Sequence, residues 1–209
     1  MKFLGIDTTR KIARLFIYND ESDDKQQFIE VSENIKHSEG VFLYLEKLLY
    51  ESKLMVADFD YFACIVGPGS FTGIRVGMSV IKGFNKCLNK KIMPLNTFEI
   101  LKDCIKNGVL LLSSTSTSCY YAKIKSKQIV ETGVIDKNKI DELAQGDNVY
   151  ILKEEQNQID IEYNNTIVID NICDYYIPAI LYKINHNEDE EFVPYYIQLS
   201  QAERNIQND

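Results

Sequence analysis

Residues 67–77 read Gly-Pro-Gly-Ser-Phe-Thr-Gly-Ile-Arg-Val-Gly. This string follows Tyr61–Val66 (YFACIV), a continuous apolar run of the kind that forms a strand buried on both faces. Gly67 and Gly69 flank Pro68, so the backbone can turn sharply as it leaves that strand. Ser70 suits the N-cap of a helix over roughly Phe71–Asn89. Gly73 and Gly77 stand four apart on one helical face, where the missing Cβ atoms let another backbone come close. Two readings follow: a tight turn feeding a tightly packed helix, or an anion site at the helix N-terminus. No Gly-Lys-Ser/Thr follows at Walker-loop spacing.

Working outward, Lys2–Asp7 (KFLGID), Ile12–Tyr18 and Lys25–Val31 read as three strands, the last two separated by the polar turn Asn19–Asp24 (NDESDD). That suggests an antiparallel meander. Val41–Leu54 carries Val41, Leu45, Leu48 and Leu49 at helical spacing, with Ser38 as the expected N-cap. Ile92–Leu95 reads as a short fifth strand. The order β-β-β-α-β-α-β is a hairpin-led sheet with two crossover helices. The second half repeats it in reduced form: a helix from Thr97 to Asn107 ending at Gly108, a strand Val109–Leu112, a hairpin of Cys119–Ile124 and Ile129–Ile135, and a short helix Asn138–Gln145 stopped by Gly146. Strands Val149–Leu152 and Thr166–Ile169, a helix Asp174–Ile184 containing Pro178, and a last strand Tyr195–Leu199 complete it. The expected organisation is two tandem subdomains, 1–95 and 96–209, with the final segment crossing back to the first.

The chain has 209 residues, 45% hydrophobic and 26% charged, an ordinary globular composition. Its formal net charge is −8 and its Lys and Arg residues are scattered, so it lacks the basic stripe of a chain that grips nucleic acid alone. Cys64, Cys87, Cys104, Cys119 and Cys173 are odd in number and form no CxxC, which fits reduced thiols. His37 and His186 are far apart, and no zinc spacing occurs. Met1-Lys2 leads straight into a strand and no apolar run nears the ~18 residues of a membrane span. A cytoplasmic chain without a membrane segment is the expectation.

The motif Gly67–Gly77 closely resembles the GPGSFTGxRxG signature of the TsaB (YeaZ) family, with Gly67, Gly69, Ser70 and Arg75 as signature positions. Asp7-Thr8-Thr9 resembles that family's opening IDT, where a strand ends in Asp and turns toward a nucleotide phosphate or its metal in the wider superfamily. The plain alternative is a turn in which Asp7 or Thr8 bonds backbone amides. Lys36-His37-Ser38-Glu39 is similar to the family's His-Ser/Thr segment, with His37 either a functional contact or a surface or capping histidine. Pro194–Gln198 and Gln201-Ala202-Glu203 resemble its terminal P-x-Y-x-R segment, with Gln198 where Arg is typical. Ser113–Ser118 (SSTSTS) stands where an Asp-Ala-Arg-like string is common. The resemblance implies an α/β protein of the actin/Hsp70-like (ASKHA, ribonuclease H-like) fold.

It also implies a role. TsaB proteins are non-catalytic subunits that pair, through the two helices of their first half, with the transferase TsaD. Together with the ATPase TsaE, TsaD threonylcarbamoylates the adenosine next to the anticodon of ANN-decoding tRNAs. The expected partner surface is Tyr44, Leu45 and Leu48 on the first helix with Gly73, Gly77, Val80, Ile81 and Phe84 on the second. Self-association through the same surface is expected when the partner is absent, and tRNA contact only through the complex. Asp7, Thr8, Thr9, Gly67, Gly69, Ser70 and Arg75 then form a vestigial phosphate site. No cofactor is expected on this chain alone, ATP being used by the partners. All ten glycines end at Gly146, so the stretch Asp147–Asp209 lacks the Gly-Gly turn that clamps adenosine in this fold. Pro94–Ile105 lacks the His-x-x-x-His pair that binds metal in TsaD, and no GxSxG elbow occurs. The competing reading is an autonomous ATP-dependent kinase or carbamoyltransferase of the same fold, which Asp7–Thr9 and Gly67–Ser70 favour.

Overall fold

The computed structural model describes residues 1–31, 35–188 and 190–197. It divides into two compact units: Met1–Asn96 with Ile177–Pro194, and Thr97–Tyr176 with the chain from Tyr195 onward.

The first unit is built on a five-stranded sheet. Strands β1 (Lys2–Asp7), β2 (Arg14–Asn19) and β3 (Gln26–Glu30) form the antiparallel meander, and β4 (Tyr61–Ile65) and β5 (Lys91–Leu95) add in parallel, giving the order β3-β2-β1-β4-β5. Parallel neighbours need crossovers, and two full helices supply them: α1 (His37–Ser52) and α2 (Phe71–Leu88). The central strands β1 and β4 are buried over nearly their whole length, as their unbroken apolar runs require. Phe3, Leu4, Ile6, Phe16, Phe62 and Ile65 form the heart of this core. Helix α1 buries Val41, Leu45 and Leu48, one apolar stripe at helical spacing. The position before α1 is Lys36, which makes no side-chain cap, so Ser38 lies inside the first turn and is not the N-cap expected.

The second unit repeats the connectivity. Strands β6 (Asn107–Ser113), β7 (Ser118–Lys125) and β8 (Gln128–Asp136) are antiparallel, and β9 (Val149–Leu152) and β10 (Thr166–Ile169) extend β6 in parallel. Its order β8-β7-β6-β9-β10 is that of the first sheet, strand for strand. The crossovers are reduced to α4 (Ile140–Ala144) and α5 (Gln156–Ile159). They close a core of Val109, Leu111, Cys119, Ile140, Ala144, Val149, Ile151 and Ile159.

Several boundaries differ from the sequence reading. Helix α3 (Thr97–Leu101) stops after five residues, and Asn107 and Gly108 belong to β6. Gly108 therefore caps no helix; a Cβ there would stand 2.5 Å from the Asn148 carbonyl, so close approach to the start of β9 explains it. Thr97 is inside α3 with its hydroxyl buried. Helix α6 (Cys173–Asn185) begins a residue early and carries Pro178 within it, giving up one rung of its ladder. Helix α5 went unread because four residues show no period. Tyr195–Ile197 form no strand, and Gln198, Leu199 and Gln201–Glu203 lie outside the described residues.

Lys183 on α6 is 4% exposed. Its ammonium donates to the Pro94 carbonyl at 2.7 Å and pairs with Glu190 at 2.6 Å, fastening α6 and the segment after it to β5. A buried lysine needs such partners, because desolvating an unpaired ammonium costs several kcal/mol, roughly.

The β7–β8 turn is made by Ser126 and Lys127, both at positive φ (50° and 63°), without a glycine. Left-handed backbone disfavours side chains. Lys127→Gly is expected to stabilise the protein by about 0.5–1 kcal/mol, net of glycine's greater unfolded-state entropy. Thermal unfolding checks this: a melting temperature up by about 1–3 °C is expected, and an unchanged or lower one contradicts it.

Candidate functional site

Strand β1 ends in a turn that is wholly buried: Asp7, Thr8 and Thr9 are 0–2% exposed. One Asp7 carboxylate oxygen accepts from the Thr9 amide (2.8 Å) and the Thr9 hydroxyl (2.7 Å), closing a local Asx turn. The Thr8 hydroxyl donates to the Gly73 carbonyl (2.6 Å) and accepts from the Gly77 amide (3.1 Å). Those two groups are the acceptor and donor that one turn of α2 would pair with each other. Thr8 thus bridges a rung of the helix. The Ser70 amide donates to the Thr9 carbonyl at 2.8 Å, and the Ser70 hydroxyl caps α2 by accepting from the Gly73 amide at 3.1 Å.

The motif glycines make room for this turn. A Cβ on Gly73 would stand 1.9 Å from the Thr8 carbonyl oxygen, and one on Gly77 2.6 Å from the Thr8 hydroxyl. Gly69 is equally confined, with the Thr9 carbonyl 2.2 Å from where its Cβ would be. The surface that α2 approaches so closely is therefore the chain's own β1 turn. Ser70 uses its side chain on the helix itself, and the turn Asp7–Thr9 has α2 packed over it.

The flank of α2 beside α1, together with Ser38 and Phe42 of α1, forms an open groove of about 620 Å³. Its walls are Phe42 from α1 and Phe71, Val76, Val80 and Phe84 from α2, with Arg75 at its side. Phe42 and its neighbour Leu43 are 56% and 59% exposed, an unusual outlay of apolar surface for a helix that already buries a full stripe. Phe84 leans on Phe62 of β4, ring centroids 6.0 Å apart.

These placements redistribute the expected site residues. Leu45, Leu48, Gly73, Gly77, Val80 and Ile81 are buried by their own unit. Of these only Val80 also lines the groove. Tyr44 and Phe84 are half-buried and remain accessible. A bulky residue at Gly77 would strike Thr8 and disturb the fold before it touched a partner. Arg75 does not join Asp7, Thr8, Thr9, Gly67, Gly69 and Ser70: it lies on the outer face of α2, its guanidinium 3.9 Å from the Phe71 ring centroid. Sequence reasoning missed Phe42 and Leu43. The signal was present, since Val41-Phe42-Leu43-Tyr44 is four apolar residues in a row and a one-sided helix needs only one or two of them.

In the second unit the Ser113–Ser118 loop does meet a carboxylate. Glu155, 4% exposed and 42 residues away, accepts from the Ser113 amide at 2.9 Å. The loop's hydroxyls bond one another, Thr115 to Ser118 at 2.7 Å. Among the described residues no group of three or more His, Cys, Asp or Glu side chains is placed to hold a metal. His37 opens α1, and its side chain lies outside the described residues. His186 stacks on Tyr182 at the end of α6. Burial pushes the Cys64 thiol up and that of Cys119 up to about 11, so both stay protonated at neutral pH and are poor nucleophiles. Among the described residues, no helix is long and apolar enough to cross a membrane.

Removing the Thr8 hydroxyl while keeping its shape deletes both hydrogen bonds that tie α2 to the β1 turn at this rung and leaves the Gly73 carbonyl and Gly77 amide only each other. Thr8→Val is expected to cost about 1–3 kcal/mol, and Thr8→Ser, which keeps the bridge, less. Urea unfolding of the two variants decides; a Thr8→Val protein as stable as the parent contradicts the bridging role.

Residues 31–173 match the family model described as TsaD, tRNA N6-adenosine threonylcarbamoyltransferase. A relative from Buchnera aphidicola subsp. Schizaphis graminum, a tRNA threonylcarbamoyladenosine biosynthesis protein TsaB, is 30% identical over 100 residues, 47% of this chain and 45% of that protein. A tRNA N6-adenosine threonylcarbamoyltransferase from Kosmotoga olearia is 36% identical over 61 residues, 29% of this chain and 18% of that one. The chain thus spans less than half the length of these curated relatives. Among solved structures, YeaZ from Pseudomonas aeruginosa superposes with a TM-score of 0.69 at 13% identity, over 93% of this chain and 99% of that one. A protein described as similar to peptidase YeaZ from Pseudomonas aeruginosa superposes at 0.72, also at 13% identity, over 94% and 99%. At that identity the superpositions speak for the fold, two α/β units of actin/Hsp70-like type. By sequence and fold together, the chain belongs to the tRNA N6-adenosine threonylcarbamoyltransferase (TsaD) family, as a member of its TsaB (YeaZ) type.

Proposed function

We propose that this chain is the non-catalytic docking subunit of a tRNA threonylcarbamoyladenosine-forming complex. It pairs through the α1–α2 groove with a TsaD-type transferase, with a TsaE-type ATPase in the same assembly, and meets tRNA only through that complex in the cytoplasm. The groove is the observation that carries this reading. It is apolar, open and framed by two helices, a shape that an amphipathic helix of a like-folded partner fills. The choice of partner is supported by the matches, which include a TsaB protein and a transferase. The buried Asp7–Thr9 turn supports the non-catalytic part. With Asp7 bonded to Thr9 and α2 packed on Thr8, this turn serves the fold. On this reading the chain alone carries no cofactor, and self-pairing through the groove occurs when the partner is missing.

Phe42 is exposed, so charging it leaves the core untouched. Co-expression with a TsaD homologue followed by size-exclusion chromatography is expected to give a joint peak with the parent chain. Phe42→Glu is expected to weaken pairing at least about tenfold, as for an aromatic anchor at an interface centre. A joint peak undiminished by Phe42→Glu contradicts the groove as the docking face.

The transferase description of the matching family model favours the second reading, an autonomous ATP-dependent enzyme. Calorimetry of the isolated chain with ATP and magnesium separates the two. The docking-subunit reading expects no heat of binding; micromolar affinity supports the enzyme.

A further inference from the structure

Gly83 is the glycine that the fold of its own unit does not explain. Every other glycine either would put a Cβ 2.8 Å or less from another residue's atom or holds a positive φ. Gly83 does neither. It lies inside the 18-residue helix α2, and beyond that helix no described atom comes within 4 Å of where its Cβ would be. Glycine weakens a helix interior relative to alanine, because it gives up more backbone freedom on folding and packs nothing. Its place in the molecule is the remaining clue. Gly83 lines the α1–α2 groove, one turn beyond Ser79 and Val80 and next to Phe84, which line it too.

We infer that Gly83 is the point of closest approach for a helix of the TsaD-type partner, its missing Cβ letting that helix settle into the groove. This rests on the groove being the docking face. The choice of occupant is supported by the family match, whose residues 31–173 take in both α1 and α2. A TsaD-type chain therefore carries counterparts of these helices to lay against them. Packed helices stand about 8–10 Å apart according to the side chains at the crossing, and a glycine at the crossing sets the short end of that range. At that distance the apolar walls, Phe42 and Phe84 among them, close on the incoming helix. Gly73 and Gly77 already show the device on another face of α2, where they admit the chain's own β1 turn. Gly83 repeats it toward a second chain.

On this account stability and binding move in opposite directions, which a merely structural glycine does not produce. The test uses the full chain and a TsaD-type partner, comparing the parent with Gly83→Ala, Gly83→Leu and Phe42→Glu. The position is exposed and open, so Gly83→Ala is expected to raise the melting temperature of the chain by about 1–4 °C. Gly83→Leu is expected to melt no lower than the parent. Binding to the partner is expected to weaken in Gly83→Ala, and roughly tenfold or more in Gly83→Leu, the size of overpacking a close-packed contact. If Phe42→Glu abolishes pairing while Gly83→Leu binds like the parent, the groove docks but no backbone comes close at Gly83, and the inference is overturned. If Phe42→Glu too is without effect, the docking face itself is wrong. If Gly83→Leu lowers the melting temperature, the chain's own fold needs the glycine, and the inference is again overturned. Sedimentation of the chain alone covers the remaining occupant: Gly83→Leu loosening only a self-pair, with the mixed complex as tight as the parent's, assigns the approach to a second copy and overturns it as well.

Discussion

One hydroxyl organises the first unit. Thr8 Oγ1 sits between the Gly73 carbonyl and the Gly77 amide, joining the end of β1 to the middle of a rung in α2. That bridge is possible only if the helix comes within about a van der Waals radius of where side-chain atoms would ordinarily be, which is why both positions are glycine. Once the 73–77 face is pressed on the turn, helical geometry fixes everything else about α2. Phe71, Arg75 and Ser79 then point away from the turn, and with Val76 and Val80 on the flank of the helix they line a groove beside α1.

The same constraint sets the state of the turn after β1 in this actin/Hsp70-like fold. In such a fold the turn after the first strand is where an acidic residue can face a phosphate or its metal. Here the turn is wholly buried, with Asp7 bonded to Thr9 and helix α2 packed over Thr8. The two sheets keep one strand order, yet the crossovers of the second are whittled to four or five residues. Phe42 and Leu43, the exposed apolar pair beside the groove, lie on the first of the two long helices of the first unit.

Much of this was legible in the sequence. The meander, the buried strand YFACIV, the Ser70 cap and the repeated plan all follow from local patterns of apolar residues, turn residues and glycines. What a pattern cannot give is the identity of the neighbour. The spacing of Gly73 and Gly77 says that some backbone comes close, and both the chain's own β1 turn and a partner helix satisfy it. Thr97–Asn107 has helical composition, but Asn107 and Gly108 are taken by β6 because pairing with β7 outweighs propensity. Glu155 reaches the Ser113–Ser118 loop from 42 residues away, beyond any local reading. Phe42 and Leu43 were visible as a surplus in the run Val41–Tyr44, and the burial of Val41, Leu45 and Leu48 shows which residues of α1 the core takes and which it leaves out.

The central claim is that α2 presses its Gly73–Gly77 face on its own β1 turn and offers the flank beside α1 to a partner. Amide hydrogen exchange of the chain, alone and with a TsaD-type transferase bound, addresses it most directly. The account predicts new protection confined to α1 and the first turns of α2, with the already protected amides of Thr9 and Gly77 unchanged. Protection appearing instead along the strands or in the Ser113–Ser118 loop, with α1 as exchangeable as before, would contradict it.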